Sequence, residues 1–181
     1  MGGEEILARV WLGDTFTHEN ILKRKITTII QVSSTNLATS VCAAFQKSGV
    51  ELVRFRRDDD ELSNLLPVFG DLCNFIDKRI RSKKNVLIWE EGAGAACAVA
   101  YVMRARRIGR TEAERYIREK RKGTVVSERC LEQLNVWQRC GFDVYEMVHG
   151  KKTPKRPYVE WIEKESAGQA KPQMDRYCVH S

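Results

Sequence analysis

At 181 residues, with 43% hydrophobic and 30% charged side chains, the chain has the length and composition of one globular domain with a sizeable core. No apolar run approaches the roughly 20 residues that a membrane span requires, so no membrane association is expected. The formal net charge of +7 favours anionic partners and is concentrated in three clusters: nine Lys/Arg between Arg104 and Lys122, then Lys78 to Lys84, then Lys151 to Arg156.

The start, Met1-Gly2-Gly3-Glu4-Glu5, is acidic and polar, unlike a secretory signal. Ile6 stands where a myristoylation motif wants a hydroxyl. From Ile6 to Leu12 the residues read as one strand ending at Gly13-Asp14. His18 to Lys25 reads as a short helix with Thr17 as its cap, and Ile26 to Val32, rich in β-branched residues, as a buried strand. A helix from about Ala38 to Lys47 ends at Gly49, and Glu51 to Phe55 forms a third strand. Arg56 to Glu61 is a polar loop holding Asp58-Asp59-Asp60. It lacks the spacing, central Gly and terminal Glu of a calcium loop. Leu65 to Arg81 carries an apolar stripe at helical spacing.

The next stretch organises the chain. Val86 to Trp89 makes a short buried strand, Glu90 to Ala95 a tight Gly/Ala loop, and a small-residue helix follows to about Arg107. Strand, glycine loop and helix are the layout of an anion-binding loop, since a helix N-terminus offers unpaired N–H groups and the positive dipole end. Yet Glu90 and Glu91 open the loop, and it contains no Lys or Arg. One of these carboxylates is expected either to fold onto the amides around Gly92 to Ala95 as a built-in anion, or to point to solvent.

Thr111 and Glu114 form a capping-box pattern for a helix to about Arg121. Ser127 caps another, Glu128 to Cys140, stopped by Gly141. Strands alternating with helices imply an α/β fold. Residues 143–181 hold three of the four prolines and read as a non-globular tail with one short helix at Pro157 to Glu163 and Trp161 as an anchor. The six cysteines include no CxxC pair, so zinc is not expected and buried, reduced thiols are.

In this order, the elements resemble those of the cysteine-dependent dual-specificity protein phosphatases. Val10-Trp11-Leu12-Gly13-Asp14 resembles the family's opening L-Y-L-G-S, and Ile29-Ile30-Gln31-Val32-Ser33 its L-N-V-S. Val86-Leu87-Ile88-Trp89-Glu90 is similar to its V-L-V-H-C strand. Ala100-Tyr101-Val102-Met103-Arg104 resembles its A-Y-L-M-R helix, and Leu131-Glu132-Gln133-Leu134 its F-x-x-Q-L. The match spans about residues 5 to 142. It implies a central mixed sheet flanked by helices over 1–142, followed by a docking tail over 143–181.

The family's chemistry uses the signature HCxxGxxR and an upstream aspartate as general acid. By position, Asp59 falls at the acid, as a relic. Trp89 replaces the His and Glu90 the nucleophilic Cys. Ala96, counted from the strand, or Ala93, counted from the helix, replaces the Arg. The degenerate loop is thus Trp89, Glu90, Glu91, Gly92, Ala93, Gly94, Ala95 and Ala96, and Cys97 stands too late to be the nucleophile. A carboxylate about 4 Å from a bound anion opposes it by roughly 4 kcal/mol at an effective dielectric of 20.

The expectation is therefore a pseudophosphatase without catalytic residues, metal or cofactor. It would be a protein-binding or structural subunit of a larger intracellular assembly, in the cytoplasm and including cytoskeletal or ciliary ones. Candidate partner-binding residues are Arg104, Arg107, Arg110, Arg118, Arg121, Lys151, Lys152 and Trp161. Two alternatives stay open: a basic module on RNA or a ribonucleoprotein, though no RNA-binding motif accompanies the charge, and a phosphatase-type enzyme with unusual chemistry at Glu90, Glu91 or Cys97.

Overall fold

The computed structural model describes residues 2–14, 17–33, 39–56 and 64–169. A hairpin of β1 (Glu4–Leu7) and β2 (Val10–Gly13) leads to α1 (His18–Lys23), β3 (Ile26–Ser33), α2 (Thr39–Lys47), β4 (Glu51–Arg56), α3 (Leu66–Arg81) and β5 (Asn85–Trp89). Then come α4 (Gly94–Arg106), α5 (Arg110–Lys120), α6 (Glu128–Arg139), a second hairpin of β6 (Tyr145–Val148) and β7 (Lys151–Pro154), and α7 (Arg156–Gln169). The five-stranded sheet runs β1-β2-β5-β3-β4, with β1 antiparallel to β2 and the other pairs parallel. This is the mixed sheet flanked by helices that the sequence implied.

Strand alternation sorts the core into two layers. Ile30, Val32, Val86 and Ile88 face the main cluster with α3, α4 and α6. Ile29 and Leu87 face the opposite side and pack with Ile21 of α1, Phe45 of α2 and Val50. Both faces of β3 and β5 are covered, so these strands read as nearly continuous apolar runs.

Two expected elements differ. The single strand over 6–12 is a hairpin, because Arg9 turns into the left-handed region at φ 67° with its N–H bonded to the Glu5 carboxylate. The capping box on Thr111 is absent. Gly109 is the N-cap, with no side-chain bond, and Glu114 instead accepts from Arg110. Thr17 and Ser127 do cap α1 and α6.

Within 143–169 the chain is folded. His149 and Gly150, at φ 48° and 76°, make the two-residue turn between β6 and β7. α7 runs well beyond the short helix expected at 157–163. It lies on α6 through Trp161, 8% exposed, and Tyr158, 5% exposed, both part of the main core. Arg129 of α6 bonds Glu165 and Arg139 bonds Glu160. Residues 170–181 lie outside the described residues. Among the described residues no helix is long and apolar enough to cross a membrane.

Trp161→Ala is expected to cost about 3–5 kcal/mol, measured by urea denaturation with intrinsic fluorescence of the remaining tryptophans. The hydrogen bond from Arg129 holds the Glu165 carboxyl below its ordinary value. A depressed carboxyl stabilises the fold above its unfolded pKa, about 4.3, and loses that contribution as pH falls through the folded value. Glu165→Gln should therefore destabilise near pH 6 and approach the native protein's stability as the pH is lowered through the carboxylate range.

Candidate functional site

The parallel strands β2 and β5 end side by side, Gly13 opposite Trp89. Ligand sites of open α/β sheets lie beyond such carboxyl ends. Here the residue after each strand is acidic: Asp14 follows β2 and Glu90 follows β5. The Glu90 N–H donates to the Gly13 carbonyl at 2.8 Å, which fixes the loop against β2. At its other end the Ala93 N–H donates to the Val32 carbonyl at 3.2 Å.

Both loop glycines are required by contact. Gly92 has φ +73°, and a Cβ there would stand 2.8 Å from the Val32 carbonyl oxygen. A Cβ on Gly94 would lie 1.7 Å from the Trp89 carbonyl oxygen. The backbone at the start of α4 thus approaches the end of β5 too closely for any side chain. Ala93, Ala95 and Ala96 are 1%, 3% and 2% exposed. Trp89 turns to the far side of the sheet and meets Phe45 edge-on, with ring centroids 6.2 Å apart.

The acidic pair is bridged by Arg121, the C-cap residue of α5. Its Nε donates to Glu90 Oε2 at 2.6 Å, and its Nη2 reaches Asp14 Oδ1 at 2.9 Å. The Arg121 and Glu90 side chains are only 13% and 16% exposed. Partial burial alone would lower the guanidinium pKa, but the bonds and charges of Glu90 and Asp14 outweigh it and hold the group above its ordinary value. The forked guanidinium suits this double contact, which an ammonium would not reproduce.

The expected folding of a carboxylate onto the loop amides is therefore corrected. The Glu90 carboxylate turns to Arg121, and Glu91 is exposed, bonding no loop amide among the described residues. A cation within reach outcompetes weak amide dipoles. Asp14 was not among the residues singled out in the sequence. The signal for it was that Gly13-Asp14 and Trp89-Glu90 end two apolar strands with the same pattern. Asp59 lies outside the described residues.

Cys97 is fully buried within α4, and burial first, then the neighbouring Cys73 and Cys130, pushes its thiol pKa well up. Burial likewise pushes the Cys73 thiol up to about 12. Neither thiol has thiolate character, the requirement for nucleophilic attack. Among the described residues no cluster of ligating side chains fits a metal ion.

The candidate cations are dispersed over the outer helices. Arg104 bonds Asp77 at 3.0 Å and Asn74 at 2.8 Å. Arg107, left-handed at the end of α4, lies 5.9 Å from the Phe142 ring centroid. Arg110 holds Glu114 and Asn135. Arg118, 60% exposed, meets Glu114 at 3.6 Å. Lys151 is exposed on β7, and the Lys152 ammonium sits 4.2 Å from the Tyr145 ring centroid. Trp161 packs inside, stacked on Tyr158. Only Arg121 of this set belongs to the loop site.

The dual specificity phosphatase catalytic-domain model matches residues 10–140. Human DUSP28 superposes with TM-score 0.66 at 19% identity, covering 77% of this chain and 95% of its own. The human tyrosine phosphatase-like serine/threonine/tyrosine-interacting protein superposes with TM-score 0.62 at 21% identity, covering 76% and 96%. The Cydia pomonella PTP-2 phosphatase gives 0.63 at 19%, covering 84% and 96%. No curated protein sequence matches the chain significantly.

Arg121→Ala leaves Asp14 and Glu90 side by side without their cation and is expected to destabilise the fold by about 2 kcal/mol in urea titrations. Arg121→Lys should recover only part of that loss.

Proposed function

The chain belongs to the dual specificity phosphatase catalytic-domain family, and on that premise we propose that it is a pseudophosphatase, a non-catalytic protein-binding or structural subunit of a larger intracellular assembly. The observation that carries this reading is the Arg121–Glu90 pair at 2.6 Å. Glu90 stands at the position that the family fills with its cysteine. Its carboxylate puts negative charge beside the place a phosphoryl group would take, and the one guanidinium bonded there already holds two acids. A phosphomonoester would have to displace a partly buried ion pair and then face its released carboxylates.

The rest of the loop supports the same reading. Cys97 and Cys73 are buried thiols, and the alanines at the two positions counted as the family's arginine are packed into the core. What the loop retains is the glycines that let β5 and α4 meet, which serve the fold. One structural relative carries a name that joins phosphatase likeness to interaction rather than to turnover.

Purified protein incubated with an aryl phosphate is expected to release no phenol above a buffer blank, and Glu90→Gln and Cys97→Ser to behave identically. Turnover by the native chain that either substitution abolishes would overturn the proposal. Millimolar tungstate or phosphate should leave the melting temperature unchanged, because neither finds a free cationic cradle.

A further inference from the structure

We propose that the cleft between α3 and β6 is a docking groove for an extended, cationic peptide segment of a partner protein, which adds to the free edge of β6. The inference rests on the binding reading above and names the chemistry of the partner.

The β6–β7 hairpin stands apart from the main sheet, and among the described residues no strand pairs with the outer edge of β6. In an antiparallel ladder, alternate residues turn their N–H and C=O toward the partner strand and the others turn outward. The Lys155 N–H donates to the Val144 carbonyl at 2.9 Å, so Val144, Glu146 and Val148 face β7. Tyr145 and Met147 therefore face outward. The Tyr145 N–H is occupied by the Asp143 carboxylate at 2.9 Å. The Tyr145 carbonyl and both backbone groups of Met147 have no partner among the described residues. These are the groups an added strand bonds.

That edge borders a cleft of about 210 Å³ whose opposite wall is α3, at Pro67, Gly70 and Asp71. Residues 143 to 147 line it in succession with Lys152 of β7, so the cleft borders both the edge of β6 and the hairpin face that carries Tyr145, Met147 and Lys152. Gly70 offers no side chain, which leaves room against α3. Met147, 68% exposed, supplies an apolar and adaptable contact.

Charge chooses the occupant. The cleft carries three acids, Asp71, Asp143 and Glu146, against one cation, Lys152. Asp71 and Glu146 pair with no cation among the described residues. The Lys152 ammonium is held over the Tyr145 ring, and Arg104, which reaches Asn74 at the rim, is paired with Asp77. On a chain of net charge +7 this is a negative recess, and it selects lysine or arginine on an incoming strand. An acidic peptide or an RNA is disfavoured there for the same reason.

The test is selection from a displayed library of random dodecapeptides against the full chain, followed by fluorescence anisotropy with the enriched peptide. Lysine- and arginine-bearing peptides should be enriched. Asp71→Lys/Glu146→Lys should weaken their binding about tenfold or more, equivalent to about 1.4 kcal/mol. Met147→Pro, which removes the outward N–H together with the exposed Met147 side chain, should weaken it as well, with circular dichroism and melting confirming the fold of each variant. No enrichment, enrichment of peptides without cations, or binding indifferent to the charge reversal would overturn the groove. Turnover of an aryl phosphate would instead strike the pseudophosphatase reading and leave this result standing.

Discussion

The architecture depends on α4 having no solvent-facing side for most of its length. Every residue from Gly94 to Met103 is buried, so the helix is wrapped by the sheet, α3, α5 and α6. A helix in that position needs small side chains wherever another backbone comes close. Gly94 lets it start against the end of β5, and the alanines let neighbours reach its own backbone. The Trp137 indole, fully buried, donates to the Ala100 carbonyl at 3.3 Å, which a larger side chain in this region would obstruct. The order of the sheet and the stacking of α3, α5 and α6 follow from this one tightly held element.

Electrostatics at the loop follows from the same geometry. Parallel strands deliver Asp14 and Glu90 to one edge, and two acids at one place require a cation or a protonation. The extended backbone at Arg121, where α5 ends, supplies the guanidinium from the chain itself. The positive charge clustered between Arg104 and Lys122 in the sequence is divided in space. Arg121 serves the loop, Arg104 and Arg110 bind carboxylates on the helices, and Arg106 lies over the Tyr116 ring at 4.4 Å.

The sequence made the alternation of strands and helices legible because β3, α3, β5 and α6 carry strong periodicity and clear caps or stops. It also made the turn between β5 and α4 legible, since Gly92 and Gly94 mark close backbone approaches. It did not show where the Glu90 carboxylate points. That depends on Arg121, 31 positions later in the chain, and a contact at that separation leaves no local pattern. The β6–β7 hairpin was missed because its strands have four residues each and expose charge, and its turn uses His149-Gly150 where Asn-Gly is the usual signal. α7 was read short because its apolar residues are few. Tyr158 and Trp161 reach the core from a helix that is otherwise polar.

The packed alanines at the head of α4 also limit which side chains the loop can accept. An arginine at Ala93 or Ala96 would enter a core position that is 1% or 2% exposed and displace close neighbours. A cysteine at Glu90 would leave Arg121 with Asp14 alone. Each of these changes would disturb a contact that the present fold uses. Substitutions cost least on the outer faces, while the head of α4 is held as a fixed part of the framework.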